Sequence, residues 1–375
     1  MGRVDAVGIE GLELWFNSSD HLPEHLHVKR RGEWEIRVYF LLCTDEELVF
    51  DRKWGKKDPS AKVRAAICRA VVEHRAELLR EMGAEGMLIS VNGIDASTSE
   101  LTLLAHDPRA GEAVSDTRSF RVVRRPNRQI GERARNVFVL VPATELPEVS
   151  ELVSAANRRH QLRALLIRDD VHPTSVPQMF ERAGLRMMRN TIVYTDFNVP
   201  RRVLNAWTQN SQDELIAKAS VSQVRLFVVS CALQSYEVAF DSMPSLKRIP
   251  AGERAKFIVD EDGSYVHWPA SDIHVDLDAI RAAIDPEVRA RAEAAKALHD
   301  SRYGAAIAKL RIATGLKQAQ IKGLSERQVR RIEKGEATTY EALRRLAAAH
   351  RLNLDEYLRK LAANVSNAAL ERAIA

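Results

Sequence analysis

The sequence predicts a multidomain α+β protein. A small N-terminal α+β domain is followed by a central α/β segment, a small α+β module and an all-α C-terminal domain. Three observations carry this. At 375 residues the chain exceeds one ordinary hydrophobic core. The apolar pattern changes along the chain, from alternation to strand–helix–strand order and finally to short amphipathic helices. Charge is unevenly spread: of 56 Lys+Arg and 51 Asp+Glu, residues 301–375 hold 15 and 7, so that segment is net +8 and the rest net −3. The expected boundaries are 1–93, 94–218 and 219–285, then a connecting helix over 286–302, the all-α domain over 303–366 and a tail over 367–375.

Composition narrows the class. Hydrophobic residues at 45% and charged residues at 29% are those of a globular, water-facing protein. No apolar run approaches the ~18–20 residues of a membrane span. The N-terminus lacks a basic region followed by an apolar stretch, so no signal peptide is expected. The Met-Gly start is a poor myristoylation match, because Ala6 stands where Ser or Thr is needed. Cys43, Cys68 and Cys231 are few and widely spaced, which suits reduced thiols and a cytoplasmic location. Neither a low-complexity tract nor an internal repeat is evident.

Residues 8–20 and 34–42 are expected to be strands; Trp34, Ile36, Val38 and Phe40 alternate with charged or polar residues. The intervening DHLPEHLHVKRRG is rich in turn residues and holds His21, His25 and His27. An amphipathic helix is expected over 58–81, opened by Asp58-Pro59-Ser60 and carrying Val63, Ile67, Val71, Val72, Leu78 and Leu79. Histidines two apart on a strand share a face. With Glu73 and His74 arriving from the helix they are candidates for a divalent metal site or an acid/base pair. Against this stands a packed corner in which the same groups satisfy one another, and this is the favoured reading, with no cofactor. Residues 8–82 resemble the bacterial domain-of-unknown-function family 4160 through Asp20-His21, Pro23, His25, His27 and the run His74-Arg75-Ala76-Glu77-Leu78. Glu24 replaces the second proline of that pattern. The resemblance implies a fold and no activity.

Strands are expected at MLISV, LTLLA and SFRVV within 87–124, followed by a polar, basic stretch over 124–134. From 137 to 195 VFVLVP, LRALLIRDD and TIVYT alternate with two helical stretches, which argues a small parallel sheet. Pro142-Ala143-Thr144 stands where a Gly-rich phosphate loop would be, so nucleotide binding has no support. Strands return at VRLFVVSCAL, YEVAF and AKFIVDEDGSYVHWP, with Asp262-Gly263 as a hairpin signal. Trp268 reads as a core plug. His267 and His274 lie seven apart across a turn, beside Asp272, with no Cys or third His at ligand spacing, which argues against a metal site. Cys231, among apolar residues, reads as a buried small hydrophobe. Phe257 to Asp278 resembles domain-of-unknown-function family 2442, on the His267-Trp268-Pro269 and Asp272-Ile273-His274 runs. That resemblance implies a small α+β module, in an order that can place a helix-turn-helix immediately downstream, often beside antitoxin-like or regulatory genes.

Residues 304–363 then carry the signals of a short-helix bundle. Gln318 follows a Gly-Leu-Lys turn and is expected to open a positioning helix. Ser325 and Gln328 form a capping-box pattern, and Gly335 after Lys334 is a left-handed stop. Val329 and Ile332 mark the inner face; Glu326, Arg327, Arg330, Arg331 and Lys334 are left outside. A short basic helix with an open N-terminus is what a major-groove reader needs. The segment resembles the lambda-repressor-like (Xre-type) DNA-binding domain, on Leu310-Arg311 seven residues before Gln318 and on Ile332-Glu333-Lys334-Gly335. The resemblance implies an ion pair between Arg311 and Glu333. It also implies phosphate contact by Gln318 and base reading by Ser325, Glu326, Arg327 and Gln328. The chain departs from the pattern by being about three residues shorter between Gln318 and Gly335, which puts the docking angle of the reading helix in question.

The expected function is therefore sequence-specific binding of double-stranded DNA, as a transcriptional regulator of antitoxin or autorepressor type. Arg327 and Gln328 would read bases, with Glu326 and Arg331 beside them, while Gln318, Lys322, Arg330 and Lys334 hold phosphates. One short helix reads too few base pairs, so a homodimer is expected. The rival reading makes the N-terminal region a toxin-like or metal-dependent effector enzyme, autoregulated by the DNA-binding end. A third makes it a platform for a protein partner.

Overall fold

The computed structural model describes residues 4, 7–17, 25–82, 101–105, 107, 120–124, 134, 136–169, 176–185, 190–222, 224–336 and 338–374. The molecule is a multidomain α+β protein. Its chain divides into two compact units: Met1–Gly93 with Val238–Phe257 and His267–Ala375, and Ile94–Glu237 with Ile258–Val266. Among the described residues no helix is long and apolar enough to cross a membrane.

The first unit begins with an antiparallel sheet of β1 (Glu13–Trp15), β2 (Leu26–Arg30), β3 (Trp34–Val38) and β4 (Phe50–Gly55), paired in chain order. The register sets Val28 opposite Ile36 and Ile36 opposite Arg52. Two differences from the sequence expectation follow from burial. The stretch read as a turn contains β2, because His27 and Lys29 are fully enclosed and behave as strand-interior residues. Both faces of β3 are covered, so Glu35 and Arg37 are buried along with Trp34, Ile36 and Val38. The strand expected over 8–20 is described only at Glu13–Trp15, and residues 18–24 lie outside the described set.

The helix expected over 58–81 is two helices, α1 (Ala61–Glu73) and α2 (Arg75–Met82). Ser60 caps α1 by accepting from Val63 N at 3.4 Å, and Ile67, Cys68, Val71 and Val72 face inward. The break at His74 creates a second helix N-terminus with orphan N–H groups. Asp355, far along the chain, accepts from Ala76 N at 3.1 Å and satisfies one of them.

The C-terminal part of this unit runs through α7 (Leu277–Ile284), α8 (Pro286–Ala313), α9 (Glu326–Glu333), α10 (Tyr340–Ala349) and α11 (Leu354–Ile374). Asp285 caps α8, and Pro286 at the first helical position needs no N–H partner. The connecting helix and the first helix of the bundle are thus one continuous element. A single apolar cluster joins Val28, Ile36, Val71 and Leu78 to Ile307, Val329, Leu346 and Leu361. The N-terminal sheet and the C-terminal bundle share a core.

The second unit is built on a parallel sheet in the order β6-β5-β7-β8-β9, from Leu101–Ala105 (β5), Phe120–Arg124 (β6), Val137–Pro142 (β7), Leu162–Arg168 (β8) and Thr191–Tyr194 (β9). Val137 through Val141 are all 0% exposed, which is why this strand reads as an unbroken apolar run. α3 (Leu146–Arg158), α4 (Val176–Arg182) and α5 (Asn198–Thr208) complete the layers, with Val149, Leu152 and Val153 of α3 in the sheet's core. A hairpin of β10 (Ile216–Ser222) and β11 (Arg225–Ser230) follows. The guanidinium of Arg202 ties α5 to this hairpin at Ala217 O and to the separate segment 259–260 at Val259 O and Asp260 O, donating at 2.8–3.1 Å. The MLISV stretch lies outside the described residues.

Candidate nucleic-acid interface

α9 is seated by two glycines and one ion pair. A Cβ on Gly304 of α8 would fall 2.6 Å from Gly335 N and 2.7 Å from Ile332 O. A Cβ on Gly335 would meet the Asp300 carbonyl carbon at 2.5 Å, and its φ of +89° excludes most side chains as well. The backbones of α8 and the end of α9 therefore touch. Across this crossing Arg311 pairs bidentately with Glu333, Nη2 donating to Oε2 at 3.1 Å, while Arg311 Nη1 donates to Leu316 O at 2.6 Å. The Glu333 hydrogen bond holds the Arg311 guanidinium above its ordinary pKa.

Between this anchor and α9 the positioning helix is not formed. Gln318–Gln320 makes one 3-10 turn, then Ile321 is buried and Lys322-Gly323-Leu324 turns into Ser325. Too few residues separate Gln318 from Ser325 for an α-helix and a turn together. Gln318 does not project as expected: its Nε2 donates to Glu333 Oε2 at 2.6 Å. Arg345 of α10 donates to Gly323 O and holds the turn from the other side.

α9 itself starts at the expected place. Gln328 N donates to Ser325 Oγ at 3.2 Å, and Ser325 N donates to Gln328 Oε1 at 2.8 Å, a reciprocal cap. Only Val329 and Ile332 of its residues are buried. The outward cations fall into two classes. Arg330 is held by Glu326 at 3.1 Å, and Arg331 is paired with Glu336. Lys322, Arg327 and Lys334 are exposed and have no ion-pair partner among the described residues. These three, with the open N–H groups of the first turn, are the anion-seeking part of the surface. Ser325 and Gln328 already use their polar atoms for the cap, so base contact by either must compete with it.

The N-terminal histidines form a closed network. Trp15 Nε1 donates to Asn17 Oδ1 at 3.0 Å, which turns the Asn17 amide toward His27 Nε2 at 2.9 Å. His27 Nδ1 faces Glu35 Oε1 at 2.8 Å, so Nδ1 carries a proton; the one lone pair of Nε2 accepts from the Asn17 amide, and His25 Nε2 lies 3.1 Å from it. Trp54 Nε1 donates to Glu35 Oε2 at 2.7 Å. Lys53 Nζ lies 3.7 Å from Glu35 and donates to Asp276 at 2.7 Å. Burial alone would raise the Glu35 pKa, but the Lys53 charge and the His27 hydrogen bond outweigh it and hold the carboxyl far below its ordinary value. Burial likewise opposes the Lys53 charge, and Asp276 and Glu35 outweigh it. His74 is partly exposed and pairs with Glu77 at 3.0 Å; no contact with His25 or His27 is described. His21 lies outside the described residues. Both ring nitrogens of His27 are thus engaged within this buried network.

A second group does converge. His267 and His274 stack with centroids 3.9 Å apart, and Asp272 lies beside both. Sequence spacing gave no sign of this, because the strand pairing that brings positions seven apart together was not in the pattern. Trp268 between them is 1% exposed and donates to Arg254 O at 2.9 Å, the core plug expected of it. All three cysteines are buried; burial pushes the Cys43 thiol up to about 12 and raises Cys68 and Cys231 as well. Reactive thiolates are not formed there.

No family model, curated protein or solved structure matches the chain.

Proposed function

We propose that the protein binds double-stranded DNA through α9 and acts as a transcriptional regulator of antitoxin or autorepressor type. The observation that carries this reading is the state of α9. It is an eight-residue helix capped at its N-terminus, with Val329 and Ile332 inward, Glu333 nearly enclosed against Arg311, and Glu326, Arg327, Gln328, Arg330 and Arg331 exposed. A helix of this build, in a segment of net +8, suits insertion into a major groove. Arg327 is the leading base reader, since its guanidinium is not committed to a carboxylate. Lys322 and Lys334 flank it as phosphate contacts, and Gln318 acts through Glu333 to set the helix. Arg330 and Arg331 contribute by exchanging carboxylate for phosphate. The reading also places the protein in the cytoplasm as a two-fold dimer, because one short helix covers too few base pairs for specificity.

Selection of bound duplexes from fragmented bacterial genomic DNA at physiological salt tests this. Arg327→Ala/Arg331→Ala runs in parallel. Enrichment of one palindromic site, lost in the variant, supports a dimeric sequence-specific regulator. Equal enrichment by both proteins, or none by either, sinks the proposal.

A further inference from the structure

We propose that His267, Asp272 and His274 form a three-ligand site for a divalent first-row transition ion, of which Zn²⁺ is the representative. The three residues sit on a hairpin of adjacent strands, β14 (Val266–Trp268) and β15 (Ile273–Val275), joined by the 3-10 turn Pro269–Ser271. Trp268, Ile273 and Val275 point into the core and fix the strands. The imidazoles of His267 and His274 are then left face to face, 3.9 Å between centroids and 12° from parallel. Asp272, in the left-handed conformation that closes the turn, brings its carboxylate to both rings.

The ligand atoms converge at a spacing that an ion can draw together. Asp272 Oδ1 lies 3.9 Å from His267 Nε2 and 4.0 Å from His274 Nδ1, beyond hydrogen-bond length. One donor atom from each residue lies within 4.8 Å of the others. An ion with bonds of ~2.0–2.1 Å in tetrahedral geometry holds its ligand atoms roughly 3.3 Å apart. Side-chain rotations that draw each pair together by well under an ångström to about 1.5 Å complete that geometry. Two imidazoles and a carboxylate are borderline ligands, suited to Zn²⁺ and its neighbours and poorly to Mg²⁺ or Ca²⁺. The Asp272 side chain is 63% exposed and the His274 side chain 6%, so the site is entered from the Asp272 side. A fourth position is open to water there. The ion would clamp the hairpin two residues before Asp276, which caps α7 and holds Lys53.

The test uses the full chain, stripped with chelator and titrated with Zn²⁺ by calorimetry, with Co²⁺ absorption as the readout of coordination geometry. Asp272→Asn, His267→Ala and His274→Ala are compared with the exposed control His160→Ala. Asp272→Asn is the decisive variant, because the residue is exposed and Asn tolerates the same backbone conformation. The expected result is one Zn²⁺ per chain, bound about 100-fold more weakly in each of the three variants and unchanged in the control. Binding should also fall as pH drops below about 6.5, where imidazoles protonate. No saturable binding, or affinity unchanged in Asp272→Asn and His267→Ala, overturns the site. So does an ion that responds to His25→Ala instead.

Discussion

Glu333→Ala is the perturbation that most directly probes how α9 is held. The carboxylate accepts two bonds from Arg311 and one from Gln318, and both charged side chains are nearly enclosed, 11% and 8% exposed. Removing it leaves the Arg311 guanidinium with only Leu316 O as a partner. Breaking a buried pair on one side costs about 3–5 kcal/mol. The slight exposure here argues for the lower end, about 3 kcal/mol, which is roughly a hundredfold in an opening equilibrium. Global unfolding of a multidomain chain is a poor gauge of this. Amide hydrogen exchange over residues 326–335 reads the local opening directly. We expect exchange there to accelerate roughly a hundredfold, and a cycle with Arg311→Ala to give a coupling of about 2 kcal/mol. Protection unchanged within twofold, or a coupling below about 0.5 kcal/mol, would refute the role given to this pair.

Three further outcomes follow from the same geometry. Arg327→Ala should reduce discrimination at one base position by about 1–3 kcal/mol, whereas Lys322→Ala should weaken binding to every duplex and lower the salt slope by about one; identical losses on cognate and random DNA would remove the distinction. Glu35 has a folded pKa depressed below its ordinary 4.5, so its contribution is full above that value and is lost as pH falls through it. Urea unfolding followed by tryptophan fluorescence should then show the wild-type advantage over Glu35→Gln shrinking below pH ~4.5 by up to about 1.4 kcal/mol per pH unit, and a constant advantage would contradict this. Arg75 is fully enclosed and bonded to Cys43 O, with Nε and Nη1 lacking acceptors among the described residues. Arg75→Met should therefore be neutral or stabilising by about 1–2 kcal/mol in the same assay, and a clear loss of stability would show that the guanidinium is compensated.

What was legible in the sequence was local. The cap of α9 lies within four residues, and its stop is one glycine, so Ser325, Gln328 and Gly335 declare themselves. The parallel sheet declares itself because a strand covered on both faces needs apolar residues at every position, as in Val137 to Val141. The rest depended on distant partners. Alternation assigned Glu35 and Arg37 to the open side of β3, but Glu35 is enclosed beside Lys53, whose partner Asp276 lies 223 residues further on, and Arg37 pairs with Asp278, 241 residues away. No local pattern carries that. The positioning helix was expected from its opening residue alone, and the shortened stretch to Ser325 left room for one 3-10 turn. His267 and His274 have no motif spacing because cross-strand pairing, not sequence interval, places them.

These distant partners bear on how α9 is joined to the rest of so long a chain. Lys53 on β4 bonds the residue that caps α7, and Arg37 on β3 pairs with the first turn of the same helix. α7 leads through the Asp285 cap directly into α8, whose far end holds Arg311 and hence α9. At the other end Asp355 of α11 caps α2. The N-terminal region thus touches the C-terminal helices at both ends of their path, through its sheet at α7 and through α2 at α11, and one apolar core lies between them. A domain merely tethered to the helical bundle would show a polar linker and two separate cores. Here the buried charges require that sheet and helices fold against each other, because Lys53 loses Asp276 and Arg37 loses Asp278 if they part. The seat of α9 is accordingly a property of the whole first unit, and anything bound by its N-terminal sheet acts on the same packed body that presents Arg327 to solvent.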